Sequence, residues 1–175
     1  MAERAGIEVR VRRATPRDLE GYARVVQSVA AEGRYLFIER VTEKKRRSMA
    51  ELLKDRACLV LAAEARERGR WKMVGSLALS RYGDASKSGH VRVLAMMVVD
   101  GYRGMGIGKR LMEEGLEWAR AAEGVEKVAL GVFSNNGRAY RLYESFGFKV
   151  EGVRRRHYYI MGKPEDEVDM ALFVK

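Results

Sequence analysis

Cysteine and histidine are almost missing from this chain. Cys58 is the single cysteine, and His90 and His157 are the two histidines. One thiol excludes an intrachain disulfide and any cysteine-based metal site, and the remaining ligand types offer no structural zinc centre. The expectation is a protein of the reducing cytoplasm that holds no metal. Long apolar runs are also missing. The longest, Ala57–Ala63 and Val93–Val99, span seven residues, whereas a membrane helix needs roughly 20. No helix here is expected to cross a bilayer, and the opening Met1–Gly6 carries no apolar stretch of the signal-peptide kind. Side-chain amides are scarce. Gln27, Asn135 and Asn136 stand against 33% charged residues, a balance that suits a thermophilic source.

Positive charge is abundant: 34 Lys and Arg against 24 Asp and Glu, a net of +10. Such a surface attracts polyanions, whether nucleic acid, a ribosome or a phosphate-rich cofactor. It is equally the solvated surface of a thermophilic protein with no anionic partner. With 175 residues, 47% of them apolar, the chain suits one domain spanning 1–175 and buries a core without staples. It has no repeat, no low-complexity tract and no interdomain linker.

Periodicity gives the order of elements. Ile7–Arg13 alternates apolar and charged residues as a half-buried strand does. Thr15, Pro16 and Asp18 suit a cap, a first helical position and the positive helix end. Leu19, Tyr22, Ala23, Val26 and Ala30 then recur at helical spacing to about Ala31. Gly33–Val41 reads as a loop with aromatic content, and Thr42 caps a second helix to about Arg56. Ala57–Ala65 and Trp71–Arg81 are strands around a turn at Arg68-Gly69. Gly83–Gly89 is a polar turn, and His90–Val99 is a strand covered on both faces. Gly101–Gly108 is rich in glycine. Ile107, Leu111, Gly115 and Trp118 line one face of the following helix. Lys127–Phe133 is a strand, and Asn136–Phe146 a short helix ended by Gly147. Phe148–Ile160 and Val168–Val174 are closing strands. The order is β-α-α-β-β-β-α-β-α-β-β, a mixed α/β pattern with helices on both faces of a sheet.

Tyr102-Arg103-Gly104-Met105-Gly106-Ile107-Gly108-Lys109 lies between a strand and a helix. Glycines there permit a tight turn and leave amide N–H groups pointing outward, and the helix start adds partial positive charge. The result suits a phosphate or pyrophosphate. A Walker A loop fails, because Arg103 stands where its first Gly is required and Arg110 replaces its Ser/Thr. A dinucleotide fingerprint fails at Lys109, where Gly is required.

The pattern that does fit is R-x-x-G-x-G, from Arg103, Gly106 and Gly108. One strand downstream stands Asn136-x-x-Ala139-x-x-Leu142-Tyr143-x-x-x-Gly147-Phe148. Both motifs, in this order, resemble those of the GNAT superfamily of N-acetyltransferases. The likeness runs from about Ile7 to Val174 and is most specific over Met96–Phe148. It implies a mostly antiparallel sheet of about seven strands, splayed between the fourth and fifth. It implies acetyl-CoA as cosubstrate and direct acetyl transfer to a primary amine: a protein N-terminus, an amino-acid derivative or another small amine. A homodimer is compatible with it. By the same resemblance the backbone of Met96, Met97 and Val98 would pair with the pantetheine arm. The loop Arg103, Gly104, Met105, Gly106, Ile107, Gly108 and Lys109 would hold the pyrophosphate. Asn136 would contact the cofactor or cap its helix, and Tyr143 would protonate the leaving thiolate.

Departures from the family concern the base. Its members often carry a Glu on the fourth or fifth strand. His90–Val99 has no acid, and Gly131 occupies the position where related N-terminal acetyltransferases have Glu. Water relays, Glu32, Glu39, Glu151 and His90 are the alternatives. Asp100-Gly101 also replaces the usual Pro-containing turn. Without an evident base, the expected acceptor is an amine of modest pKa, such as an α-amino group, about a tenth of which is free at neutral pH. Its identity is set by Gly33–Val41 and Arg154–Pro164, where Arg154, Arg155 and Arg156 favour an acidic acceptor. Two further readings stay open: a catalytically weak module of the same fold that senses acyl-CoA or docks on RNA, and a basic nucleic-acid protein with an incidental glycine loop.

Overall fold

In the computed structural model, which describes residues 7–83 and 86–175, the chain begins with β1 (Val9–Arg13), α1 (Leu19–Ala30) and α2 (Glu43–Lys54). Next come β2 (Leu59–Glu67), β3 (Arg70–Arg81), β4 (Val91–Val98), α3 (Ile107–Ala121) and β5 (Lys127–Phe133). The chain closes with α4 (Gly137–Ser145), β6 (Lys149–Ile160) and β7 (Lys163–Phe173). The readings for Met1–Gly6 and for part of the Gly83–Gly89 turn fall outside the described residues. The strands form one mixed, mostly antiparallel sheet in the order β1-β2-β3-β4-β5-β7-β6. No helix among the described residues is long and apolar enough to cross a membrane.

Local chemistry explains the element ends. The Thr15 backbone N–H donates to Asp18 Oδ2 at 2.7 Å, and the short 3-10 turn Pro16–Asp18 leads into α1. Thr42 Oγ1 accepts from the Lys45 N–H at 3.2 Å at the start of α2. That helix stops at Lys54, short of the expected Arg56, because Asp55 turns extended and its Oδ1 accepts from the Ala57 N–H at 2.9 Å. An aspartate bonded two residues on makes a turn rather than more helix. Arg68 and Gly69, with φ of 46° and 78°, form the two-residue turn whose twist matches paired strands. Met161 and Gly162, with φ of 51° and 78°, do the same between β6 and β7.

The last strand differs from expectation: it starts at Lys163 rather than Val168. Lys163–Glu167 shows no apolar alternation, and Pro164 donates no ladder hydrogen bond. Yet β5 ends at its Phe133↔Glu167 pair. Pro164 stands opposite Tyr159 of β6 alone, with no β5 neighbour that needs its donor.

Strand alternation divides the core between two faces. Leu59, Leu61, Leu77, Leu79 and Leu94 meet α3, Tyr143 of α4 and Phe148. Val60, Ala62, Ala78 and Met97 meet Tyr22, Val26 and Val29 of α1 and Met49 of α2. Large side chains buried in this way contribute about 1.5–3 kcal/mol each. α3 lies close on the sheet at Gly115, where a Cβ would come within 2.8 Å of Leu77 Cδ2.

One seam is incomplete. β4 and β5 are the parallel neighbours, and they pair only at Val91↔Lys127, Arg92↔Val128 and Val93↔Ala129. Beyond Val93 the two strands diverge, which is the splay expected between the fourth and fifth strands.

Candidate active site

The divergence leaves a backbone edge open inside the sheet. The His90 carbonyl accepts from Glu126 and Lys127 on the β5 side, at 2.9 and 3.3 Å, while the Val99 N–H donates to Val74 of β3 at 2.9 Å. Backbone groups alternate along a strand, so those of Leu94, Met96 and Val98 turn toward the gap and those of Met97 toward β3. Of the three residues expected to pair with a cofactor arm, Met96 and Val98 thus face the gap. The Val98 carbonyl accepts from Arg103 Nε at 2.8 Å. Such an edge receives an extended chain of amides as an added strand would.

At one end of the gap lies the glycine loop. Gly104 and Gly106 have φ of 86° and 76°, the left-handed region that a side chain resists. Gly106 caps α3. The first bond inside that helix runs from the Arg110 N–H to the Gly106 carbonyl at 3.1 Å, so the N–H groups of Ile107, Gly108 and Lys109 precede it as free donors. A Cβ on Gly106 would meet nothing within 4 Å; one on Gly108 would lie 3.4 Å from Leu142 Cδ2 and 3.6 Å from Met96 Cε. The loop, α4 and β4 therefore converge at Gly108. Met105 packs partly buried against the core and Ile107 lies within it, while Lys109 is exposed and pairs with Glu113 at 3.8 Å.

Arg103 takes a different place from the one its motif suggests. Its Nη1 donates to Glu32 Oε2 at 2.8 Å, and its Nη2 reaches the other Glu32 oxygen. The guanidinium also lies 5.0 Å from the centre of the Tyr35 ring. The side chain ties the loop to β4 and to the segment after α1. A second guanidinium stands at the loop instead: Arg138 Nη2 would be 3.5 Å from a Cβ on Gly104. Arg138 sits at an unspecified position of the N-x-x-A motif, so no sequence signal marked it. Free N–H donors, an exposed guanidinium and an open strand edge fit a pyrophosphate followed by an amide-bearing arm.

Asn136 Oδ1 accepts from the Ala139 N–H at 3.2 Å and caps α4. That helix carries Tyr143, 6% exposed, its ring centroid 5.9 Å from that of Phe148. Burial pushes the phenol up to about 12. The hydroxyl bonds to no described residue. It is nevertheless not among the fully buried polar side-chain atoms without a partner, of which Ser76 Oγ is the one found among the described residues. The Tyr143 oxygen therefore keeps a small exposed surface at the end of an otherwise buried ring.

The acids considered from sequence lie elsewhere. Glu32 is taken by Arg103. Glu151 pairs with Lys127 at 2.7 Å, at the start of β5 and away from the loop. Glu39 is exposed beside a shallow hollow formed with Ile38, Arg40 and Lys44. His90 is exposed just before β4 begins, at the far end of that strand from the loop. An acid that sequence reading missed is Glu167. It is 6% exposed, and its Oε1 lies 2.5 Å from the point a Cβ on Gly131 would occupy. Phe37 Cζ is 3.4 Å from the same point. Phe37, Phe133 and Tyr158 form a ring cluster with centroid separations of 4.6, 5.1 and 5.3 Å. Burial raises the Tyr158 phenol, and the nearby Glu167 charge adds to it. Glu167 falls within the polar Lys163–Glu167 stretch, and only its pairing with Phe133 reveals where it sits.

Comparison with known proteins supports the same chemistry. The sequence pattern of the Acetyltransferase (GNAT) family matches residues 26–148. An N-alpha-acetyltransferase RimI of Mycobacterium tuberculosis is 40% identical over 90 residues, 51% of this chain and 54% of that protein. A spermine/spermidine N(1)-acetyltransferase of Bacillus subtilis is 30% identical over 71 residues, 41% of this chain and 47% of that protein. The chain thus spans about half the length of the curated relatives it matches. In three dimensions, a Salmonella typhimurium structure with its cofactor acetyl-CoA superposes with a TM-score of 0.84 at 20% identity, covering 96% of this chain and 95% of that one.

Proposed function

Because the chain belongs to the acetyltransferase (GNAT) family, we propose that it is an enzyme that transfers the acetyl group of acetyl-CoA to a primary amine by direct attack. The observation that carries this reading is the gap beyond Val93↔Ala129, with the glycine loop at one end and α4, the helix of Tyr143, packed against that loop through Leu142 at Gly108. Bound acetyl-CoA would supply the acetyl group as an activated thioester. The N–H groups over Gly104–Lys109, with Arg138, bind the pyrophosphate. The Met96 and Val98 backbone groups orient the pantetheine arm, while Met97 between them pairs with Ser76 of β3. Arg103 holds the loop in place, Asn136 fixes the start of α4, and Tyr143 delivers a proton from its Oη to the departing sulfur.

For the acceptor we favour an α-amino group of a peptide or amino-acid derivative. The RimI relative is named for that class of reaction, the Bacillus relative for a polyamine. Arg155, Arg156 and His157 stand exposed where β6 bulges between Arg154 and Tyr158. A bulge commonly re-aims side chains beside a site, and this basic rim repels a polycation while tolerating an acidic peptide. We assign one domain to the whole chain, working in the cytoplasm where acetyl-CoA is available. The charge-rich, amide-poor composition supports a thermophilic source.

The net charge of +10 favours one alternative, an acyl-CoA-sensing or RNA-docking module with little catalysis. Thiol release measured with a panel of peptide N-termini, amino acids and polyamines separates the two. An enzyme releases CoA in proportion to acetylated amine, whereas a sensor binds acetyl-CoA and releases none.

A further inference from the structure

Acetyl transfer has to remove protons from the amine, and neither β4 nor β5 carries an acid for this. We infer that Glu167 of β7 is the proton acceptor for the attacking amine, its carboxylate filling from the neighbouring strand the space left above Gly131. This rests on the acetyl-transfer reading and adds its missing catalytic residue.

Two acids are buried among the described residues, Glu64 and Glu167. Glu64 belongs to the remote edge of the sheet, and both of its oxygens are bonded. Arg10 Nε and Arg12 Nε donate to Oε2 at 2.7 and 3.0 Å, and Arg12 Nη2 donates to Oε1 at 2.7 Å. Glu167 is held at one oxygen only: Arg154 Nη1 donates to Oε2 at 3.0 Å. Arg154 Nε is itself braced by Asp169 at 3.1 Å. Oε1 bonds to no described residue and lies over Gly131. A buried carboxylate with one fixed and one free oxygen is an aimed acceptor. The groups facing it are Arg154 and Tyr158 from β6, Asp169 from β7 and the Phe37 and Phe133 rings. The Phe37 ring, 47% exposed, offers an aromatic surface that attracts an ammonium.

The geometry also separates the two proton movements. Leu130 and Val132 of β5 point toward α3 and Tyr143. Gly131 and Phe133 point the other way, toward Phe37 and Glu167. The gap between β4 and β5 lies between these faces. An ammonium entering beside Phe37 gives a proton to Glu167 Oε1, and the freed nitrogen attacks the thioester carbon. A C–N bond forms and the C–S bond breaks. On collapse the thiolate takes a proton from Tyr143 Oη, and the nitrogen's second proton passes through solvent to restore the Tyr143 phenol. Glu167 releases the first to solvent, so each turnover releases one proton.

The test pairs Glu167→Gln with the swap Gly131→Glu/Glu167→Gly, which returns a carboxylate to the same space from β5. Gly131 does not have a positive φ, so its backbone accepts a side chain once Glu167 is removed. With a peptide α-amine at pH 7, E167Q should lose roughly 10²–10⁴ in kcat/KM while the acetyl-CoA-induced rise in Tm stays unchanged. The deficit should narrow about tenfold by pH 9, as the free α-amine grows from about a tenth to nearly all. A residue that merely braces the fold gives no such pH dependence. The swap should regain on the order of tenfold or more of the loss. If E167Q unfolds, the swap decides: a folded swap that turns over supports the assignment, and one that does not overturns it. An E167Q enzyme within about threefold of wild type at every pH overturns the role of Glu167 and leaves acetyl transfer standing. A wild-type protein that binds acetyl-CoA but acetylates no amine overturns both.

Discussion

Arg103 of the glycine loop donates to both carboxylate oxygens of Glu32, just past the end of α1, while its Nε holds the Val98 carbonyl. Both side chains are about a fifth exposed, 21% and 23%, and the pair joins the glycine loop to the segment that follows α1. If Arg103 acts as a brace, Arg103→Ala and Glu32→Gln should each lower stability by about 1–3 kcal/mol. The double variant should be scarcely worse than either alone. Both single variants should weaken acetyl-CoA binding, read by calorimetry. Were Arg103 a direct phosphate ligand, freeing it with Glu32→Gln would strengthen binding instead.

Gly108→Val should abolish the thermal shift that acetyl-CoA gives wild type, about 2.7 kcal/mol at a hundred times Kd. Its branched side chain would press on Leu142 and Met96, 3.4 and 3.6 Å from its Cβ, and crowd the phosphates. Gly106→Val should abolish the shift too, and should also lower the ligand-free Tm, because a φ of 76° strains any residue with a Cβ by about 1–2 kcal/mol. Gly108→Ala should retain most of the shift. A Gly108→Val protein with wild-type affinity would remove the loop from the site.

Tyr143→Phe should lower turnover by roughly 10²–10⁴ with unchanged acetyl-CoA affinity. Stability should stay within about 0.5 kcal/mol, because the hydroxyl has no bonded partner to lose. The phenol, pushed up to about 12 by burial, keeps its proton throughout an ordinary assay range. The pH profile between 6 and 10 should then show no break due to Tyr143. Turnover of the Phe variant within about threefold of wild type, with chemistry limiting, would remove the assignment.

Acid should weaken the fold through its first strand. Hydrogen bonds from Arg12 hold the Asp18 carboxyl well below the usual range. Burial pushes Glu64 upward, but Arg12 and Arg10 overcome it and hold that carboxyl low as well. Depressed folded values mean that the stabilisation is present above the unfolded carboxyl values near 4 and is lost as pH falls below them. Arg12→Met should cost about 1–2 kcal/mol at pH 7, the low end because Arg12 is 35% exposed and partly screened. Chemical unfolding from pH 7 to pH 2 should show the gap between wild type and variant closing. A gap that stays constant would mean the ion pairs contribute nothing.

Much of the fold was legible in the order of residues, since helices and turns answer to neighbours in sequence. Thr42 caps α2 and Asn136 caps α4 through side-chain oxygens three residues from their partners. Arg68-Gly69 turns as its residue types demand, and the apolar stripe from Ile107 to Ala119 marks the face of α3 that lies buried. The glycine loop and the α4 motif carry the family likeness because free N–H groups and a helix face follow directly from residue type and spacing.

What only the tertiary structure decided concerns residues far apart in sequence. Strand pairing brings Glu167 over Gly131, and no local rule connects a polar residue near a proline to a glycine on another strand. Arg103 fits its motif by spacing, but Glu32, 71 residues away, diverts its charge. The gap between β4 and β5 exists because their pairing stops at Val93↔Ala129, although both sequences continue as good strands. Local chemistry specifies the elements and the loop. Register and divergence, which are properties of the assembled sheet, determine which acid lies over Gly131 and which backbone groups of β4 are left without a partner strand.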